Sequence, residues 1–229
     1  MVAWCSAVTI AFASPETAAP LASAAQEAFA SLDFAKAIDL MTRAIAEDPA
    51  NPLLYANRGS CYDSLQKTTE ALRDFDTAAQ KTTDLSKNAK DPDLAPILYN
   101  RGIALVHAGR FKEAIADFEK SISVDEEFPD VRNELAWILA TCSDASLRNP
   151  KKALELVLAE TKRNGLHSPM AADTLAAAHA VNGKFEEAAK EEKAAIEQAT
   201  SPLQLKKYQA RLHLYENKKP FIEAASVEH

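Results

Sequence analysis

The sequence predicts an all-α chain built as a helical solenoid, and three observations predict it. Small residues recur at Ala25, Gly59, Gly102, Ala136 and Ala176, at steps of 34, 43, 34 and 40 residues. A second set of alanines, Ala37, Ala71, Ala114, Ala153 and Ala188, follows the same beat, and Phe34, Phe111 and Phe185 stand three residues before their alanines. Prolines punctuate the units at Pro20, Pro52, Pro96, Pro129 and Pro169, each five to seven residues ahead of its small residue. Proline fits the first turn of a helix, where its missing N–H has no helical partner. A period near 34 with two amphipathic helices per period is the mark of stacked helix pairs, in which each unit buries its apolar face against the next.

In chain order, residues 1–15 carry no charged side chain, and the apolar run is too short to span a bilayer. It reads as a secretory signal with Ala11-Phe12-Ala13 as a small-x-small cleavage site, although the basic leading region is missing. The other reading is an apolar helix that caps the first repeat. Repeats are expected at about 18–51, 52–85, 95–128, 129–168 and 169–202. The polar stretch from Lys81 to Pro92 takes up the excess of the longest step, as a loop or a lengthened second helix. Repeat 4 has an enlarged inter-helix turn, Ser143 to Asn149. Ser168 and Ser201 precede prolines and suit the N-cap position. A closing helix over 203–222 follows, with Leu205, Tyr208, Leu212 and Tyr215 as its apolar stripe and Lys206, Lys207 and Arg211 facing elsewhere.

These residues resemble the tetratricopeptide repeat (TPR) family, most closely over Leu98 to Ile122, and the likeness covers about Ala18 to Pro202. The resemblance implies a right-handed α-α superhelix, with glycine or alanine where two backbones nearly touch and with Phe75 and Phe118 filling the gaps between repeats. Leu135 to Thr141, Asp173 to Ala178 and the closing Leu214-Tyr215 with Lys219-Pro220 look like a bacterial subgroup of that family.

Composition narrows the function classes. The formal charge is −7, and residues 1–94 hold 8 basic and 13 acidic side chains against 18 and 20 in the remainder. No basic face dominates, which argues against nucleic acid or an anionic membrane as partner. The three cysteines, Cys5, Cys61 and Cys142, have no metal-ligand spacing, and Cys61 and Cys142 suit small buried positions. No phosphate loop, nucleophile elbow or zinc-protease motif occurs, so no cofactor, metal or catalysis is expected. The many carboxylates fall at repeat ends and on helix faces expected to be exposed.

The family resemblance implies a concave groove, made by the first helices, that takes an extended peptide or a helix. Its residues would be Asn57, Arg58, Tyr99, Asn100, Arg101, Ile103, Asn133 and Trp137, with Trp137 equally suited to packing on an adjacent repeat. Tyr55-Ala-Asn57-Arg58 matches part of the family's carboxylate clamp for acidic chaperone tails, and Asn100-Arg101-Gly102 repeats the motif. Leu21 to Phe29 has no lysine, however, and Gln26 and Glu27 stand where the clamp needs a basic residue and asparagine. The expected function is therefore a non-catalytic adaptor, exported to the periplasm or medium, that holds a peptide or helix of a protein partner in a neutral, partly aromatic groove. The alternatives are a self-associating module, its groove filled by another copy or by a segment of the same chain, and a fragment of a larger enzyme.

Overall fold

A computed structural model describes residues 18–86, 91–164 and 168–223. The described residues are all-α: eleven helices, packed in consecutive pairs, and no strand. They divide into two compact units, Met1–Phe128 and Pro129–His229.

The first unit holds α1 (Ala18–Ala30), α2 (Phe34–Glu47), α3 (Pro52–Ser64), α4 (Thr68–Ser86), α5 (Leu94–His107) and α6 (Phe111–Val124). Local chemistry starts these helices. The Asp33 carboxylate accepts from the Lys36 N–H at 3.1 Å, and the Asn51 side chain accepts from the Leu53 N–H at 3.1 Å with Pro52 in the first turn. The helices also stop alike. Leu32, Gln66 and Gly109 take left-handed φ values of 61°, 60° and 71° in the turn between paired helices. The N–H that follows each then reaches back to the last helical turn, as in Arg110 N to Leu105 O at 2.8 Å. Only Gly109 adopts that conformation without strain from a Cβ. Part of the polar insertion after residue 81 belongs to α4, which runs on to Ser86; residues 87–90 lie outside the described residues.

Repeat pairing rests on fully buried alanines and two rings. Ala25, Ala37, Ala71 and Ala114 are inaccessible, as are Phe75 and Phe118. Gly59 lies under the Phe75 ring, where a Cβ would stand 3.0 Å from Cε1, and Gly102 lies under Phe118, where it would stand 2.4 Å from Cε1. This corrects the expectation that these glycines let two backbones approach: what needs the space is a phenylalanine side chain of the paired helix. Phe75 also packs on Ala104 of the next repeat, so one ring seals both the pair and the step to its neighbour.

The second unit holds α7 (Val131–Thr141), α8 (Pro150–Asn164), α9 (Pro169–Val181), α10 (Phe185–Glu197) and α11 (Pro202–Glu216). Ser168 and Ser201 cap α9 and α11 by accepting from Ala171 N at 3.1 Å and Gln204 N at 3.2 Å. The enlarged turn after α7 is pinned by Asn149 N to Leu139 O at 2.9 Å and by Arg148 Nη1 to Cys142 O at 3.1 Å. Cys61 and Cys142 are both buried free thiols, and burial pushes the Cys61 thiol up to about 12. No described helix is long and apolar enough to cross a membrane.

The closing helix differs from its sequence reading. Tyr208 and Tyr215 are buried, but Leu205 is exposed and Leu212 only half-buried. Arg211, expected to face away, is buried instead. The inward stripe runs Tyr208, Arg211, Tyr215, because a buried carboxylate, Asp173 of α9, holds the guanidinium.

Candidate peptide-binding surfaces

In the first unit, α3 carries Asn57 and Arg58, and α5 carries Tyr99, Asn100, Arg101 and Ile103, all half-buried. The two arginines do not await a ligand. Arg58 grips Asp74 of α4 through Nε at 2.7 Å and Nη2 at 2.9 Å, while Nη1 donates to Thr42 of α2 at 3.1 Å. Arg101 repeats the arrangement on Asp117 of α6, with both bonds at 2.7 Å, and reaches Asp76 of α4 at 2.8 Å. Each is a planar fork matched to a carboxylate, the strongest form of charge-assisted pairing. These bonds hold both guanidinium pKa values above the ordinary arginine range. Arg58 and Arg101 thus each tie three helices together.

The same geometry explains a further pattern in the sequence. Arg58-Gly59 is answered sixteen residues on by Asp74-Phe75, and Arg101-Gly102 by Asp117-Phe118. The arginine pairs with the aspartate while the glycine receives the ring. Near these pairs α3 carries the amide of Asn57, and α5 carries that of Asn100 and the apolar Ile103, with the Tyr99 ring 6.0 Å from Phe118 and 5.4 Å from Phe128.

In the second unit, Asn133 is buried, with its side-chain oxygen lacking a hydrogen-bond partner. Trp137 is half-buried and already covered. The Arg211 guanidinium carbon lies 4.6 Å from the centre of the Trp137 ring and 4.6 Å from that of Phe221. The Trp137 and Phe221 centroids are 5.8 Å apart. Arg211 is held from its other side by a short hydrogen bond to Asp173. Two residues beyond Phe221, the Glu223 N–H donates to the Thr141 carbonyl at 2.7 Å.

Beneath this stack lies a group that patterning did not single out. Glu192 of α10 is fully buried, and its carboxyl lies against that of Asp173. Burial, then the nearby Asp173 charge, raises its pKa strongly, and burial also raises Asp173 against the pull of Arg211. This corrects the expectation that the carboxylates belong to exposed faces. Among the described residues, no cluster of histidine, cysteine and acidic side chains suits a metal ion.

The comparisons fit this architecture. A family model for the tetratricopeptide repeat matches residues 50–127, which span α3 to α6 and include both Asn-Arg-Gly segments. Over that segment the chain is similar to the tetratricopeptide repeat family. Stacked helix-pair repeats form extended surfaces. Heat shock protein STI1 of Saccharomyces cerevisiae is 35% identical over 100 residues, a match that covers 43% of this chain and 15% of STI1. The chain thus spans a small part of the curated relatives it matches. A solved tetratricopeptide repeat protein from Parabacteroides merdae superimposes with TM-score 0.67 at 20% identity, covering 89% of this chain and 75% of that one. YrrB, described as a TPR protein with an unusual peptide-binding site, superimposes with TM-score 0.61 at 18% identity, covering 84% and 92%. At these identities the likeness is one of fold. The sequence match is eukaryotic and the fold neighbours include bacterial proteins, so the bacterial subgroup does not follow from them.

Proposed function

We propose that this chain is a non-catalytic adaptor that binds an extended segment of a protein partner on the first-helix surface of α3 and α5. The observation that carries the reading is the double cancellation of Arg58 by Asp74 and Arg101 by Asp117. It leaves a surface with amide groups at Asn57 and Asn100 and apolar contact at Tyr99 and Ile103, without free cationic forks to grip an acidic tail. An asparagine amide both donates and accepts, so it suits a peptide main chain, and neighbouring apolar side chains then set the preference.

The test is to select peptides on the full chain from an unbiased library, then measure them against wild type and against Asn57→Ala with Asn100→Ala. Binding should change little between low and physiological salt. The double variant should weaken it at least about tenfold, a loss on the order of 1.4 kcal/mol, with the melting temperature nearly unchanged. Selection of acidic C-terminal peptides with steep salt dependence would favour a carboxylate clamp instead.

Export to the periplasm or medium, in a bacterial source, belongs to the same proposal. It is supported by the uncharged residues 1–15 and Ala11-Phe12-Ala13, which lie outside the described residues. Intact-mass measurement of the naturally expressed protein should find a start near Ser14; a cytosolic product retaining residues 1–13 would refute it.

A further inference from the structure

The segment after α11 behaves as a ligand of its own unit. The chain leaves the helix through Lys218 in a left-handed conformation, with φ of 54°, and Lys219 N closes back on Leu214 O at 2.9 Å. Pro220 fixes its own φ and disfavours a helical Lys219, so residues 219–223 run on without helical structure. Phe221 then settles against Trp137 and Arg211, and it also packs on the apolar cluster of Ala176, Ala180, Ala188 and Tyr215. The Glu223 N–H meets Thr141 O. Thr141 is the last residue of α7, where helical carbonyls have no partner within the helix and accept from whatever is offered.

The spacings match for a general reason. From Trp137 to Thr141 a helix rises about 6 Å, and two residues of extended chain rise about 6.6 Å. An extended segment that sets a ring on Trp137 and runs in the direction of α7 can therefore bring the N–H two residues later to the Thr141 carbonyl. Asp173, buried on α9, holds the Arg211 guanidinium through a contact that does not involve that segment. The attachment itself is slight. Phe221 is only half-buried, Ile222 is 36% exposed, and Lys218, Lys219 and Pro220 are exposed.

We propose that the Trp137–Arg211 platform is a second peptide site, filled in cis by Phe221, which accepts in trans an extended segment offering an aromatic side chain and, two residues later, a backbone N–H. Since Asp173 neutralises Arg211, the ligand needs no acidic group. The inference rests on the chain being a peptide-binding adaptor, but it uses α7, α9 and α11 and none of the residues on α3 and α5.

The probe is a labelled peptide with the sequence of residues 217–223, Asn-Lys-Lys-Pro-Phe-Ile-Glu, acetylated and amidated, followed by fluorescence anisotropy on the full chain. Emptying the platform raises apparent affinity by the inverse of the fraction previously open. Phe221→Ala should therefore bind the probe at least about tenfold more tightly than wild type. A probe with alanine for phenylalanine, or one N-methylated at its glutamate, should lose that gain. So should Trp137→Ala combined with Phe221→Ala.

Glu223→Pro, which removes the N–H to Thr141 while keeping Phe221, should raise affinity in the same direction and serves if Phe221→Ala does not fold. Equal affinity for wild type and both variants, or no binding by a variant with an unchanged circular dichroism spectrum, overturns the proposal. Concentration-dependent dimerisation of wild type that Phe221→Ala abolishes would place a second copy there and overturn the choice of ligand. Asn57→Ala with Asn100→Ala should leave probe binding unchanged, which separates failure of this site from failure of the one on α3 and α5.

Discussion

Gly102→Ala sets a known gain against a clash that can be measured on the structure. In the middle of a helix, alanine is better than glycine by about 1 kcal/mol. At this position its Cβ would lie 2.4 Å from Cε1, 2.8 Å from Cδ1 and 2.9 Å from Cζ of Phe118. Carbon atoms rest near 3.5–4.0 Å apart, on the order of 1 Å farther than the closest of these contacts. Phe118 is fully buried with the Tyr99 ring 6.0 Å away, so a displaced Phe118 ring would press on its neighbours. Overpacking of this kind costs roughly 1–3 kcal/mol, and the helical gain offsets only part of it. The expected net loss is about 1–2 kcal/mol.

Gly59→Ala is the internal control. Its Cβ would meet Phe75 at 3.0–3.2 Å, which needs a displacement of only tenths of an ångström, so the two effects should nearly cancel. Urea denaturation of the full chain, followed by circular dichroism, measures both. Phe118→Leu should partly rescue Gly102→Ala, since it removes the atoms that clash. Gly102→Ala as stable as wild type, or Gly59→Ala as damaging as Gly102→Ala, would refute the claim that ring clearance selects glycine here.

Glu192 keeps its proton in the fold and releases it on unfolding, since burial raises its folded pKa to about 9. Its contribution is therefore fully present below the ordinary glutamate value of about 4.3 and is lost as pH rises toward the folded value, with a slope of at most about 1.4 kcal/mol per pH unit. Urea denaturation should show the second unit less stable at pH 8 than at pH 5.5, and Glu192→Gln should flatten that slope; an unchanged slope would count against it. Arg101→Met should cost about 2 kcal/mol by stranding Asp117, reduced from a fully buried pair because the arginine is partly exposed. Arg110→Ala, which breaks an exposed pair with Glu113, should leave the melting temperature unchanged. Tyr215→Phe should be neutral or stabilising, because the buried hydroxyl has no partner, whereas Tyr215→Ala should cost about 3–4 kcal/mol by the same denaturation measurement.

Much of the fold was legible because periodic burial leaves a periodic trace. Ala37, Ala71, Ala114 and Ala188 are small because each is fully buried against a paired helix, and prolines mark helix starts for a reason local to the first turn. The candidate site was legible only in part. Asn57, Asn100 and Ile103 could be placed on first helices by counting, since helical phase depends on neighbours three and four residues away. Whether Arg58 and Arg101 face a ligand or a carboxylate depends on residues sixteen positions off, on another helix. Arg-Gly answered by Asp-Phe was a readable signal in two repeats, but its meaning needed the geometry.

What the sequence by itself determined is the all-α class, the helix pairing and the net negative charge, because each follows from composition or from contacts near in the chain. The tertiary structure alone decided that Arg211 turns inward to Asp173, that Glu192 is buried beneath them, and that Phe221 comes back over Trp137. The physical reason is one of range. A lone charge or ring carries no period, and its environment is set by desolvation and by partners brought from distant helices. Arg211 and Asp173 are 38 residues apart, and Phe221 lies still farther along the chain from Trp137.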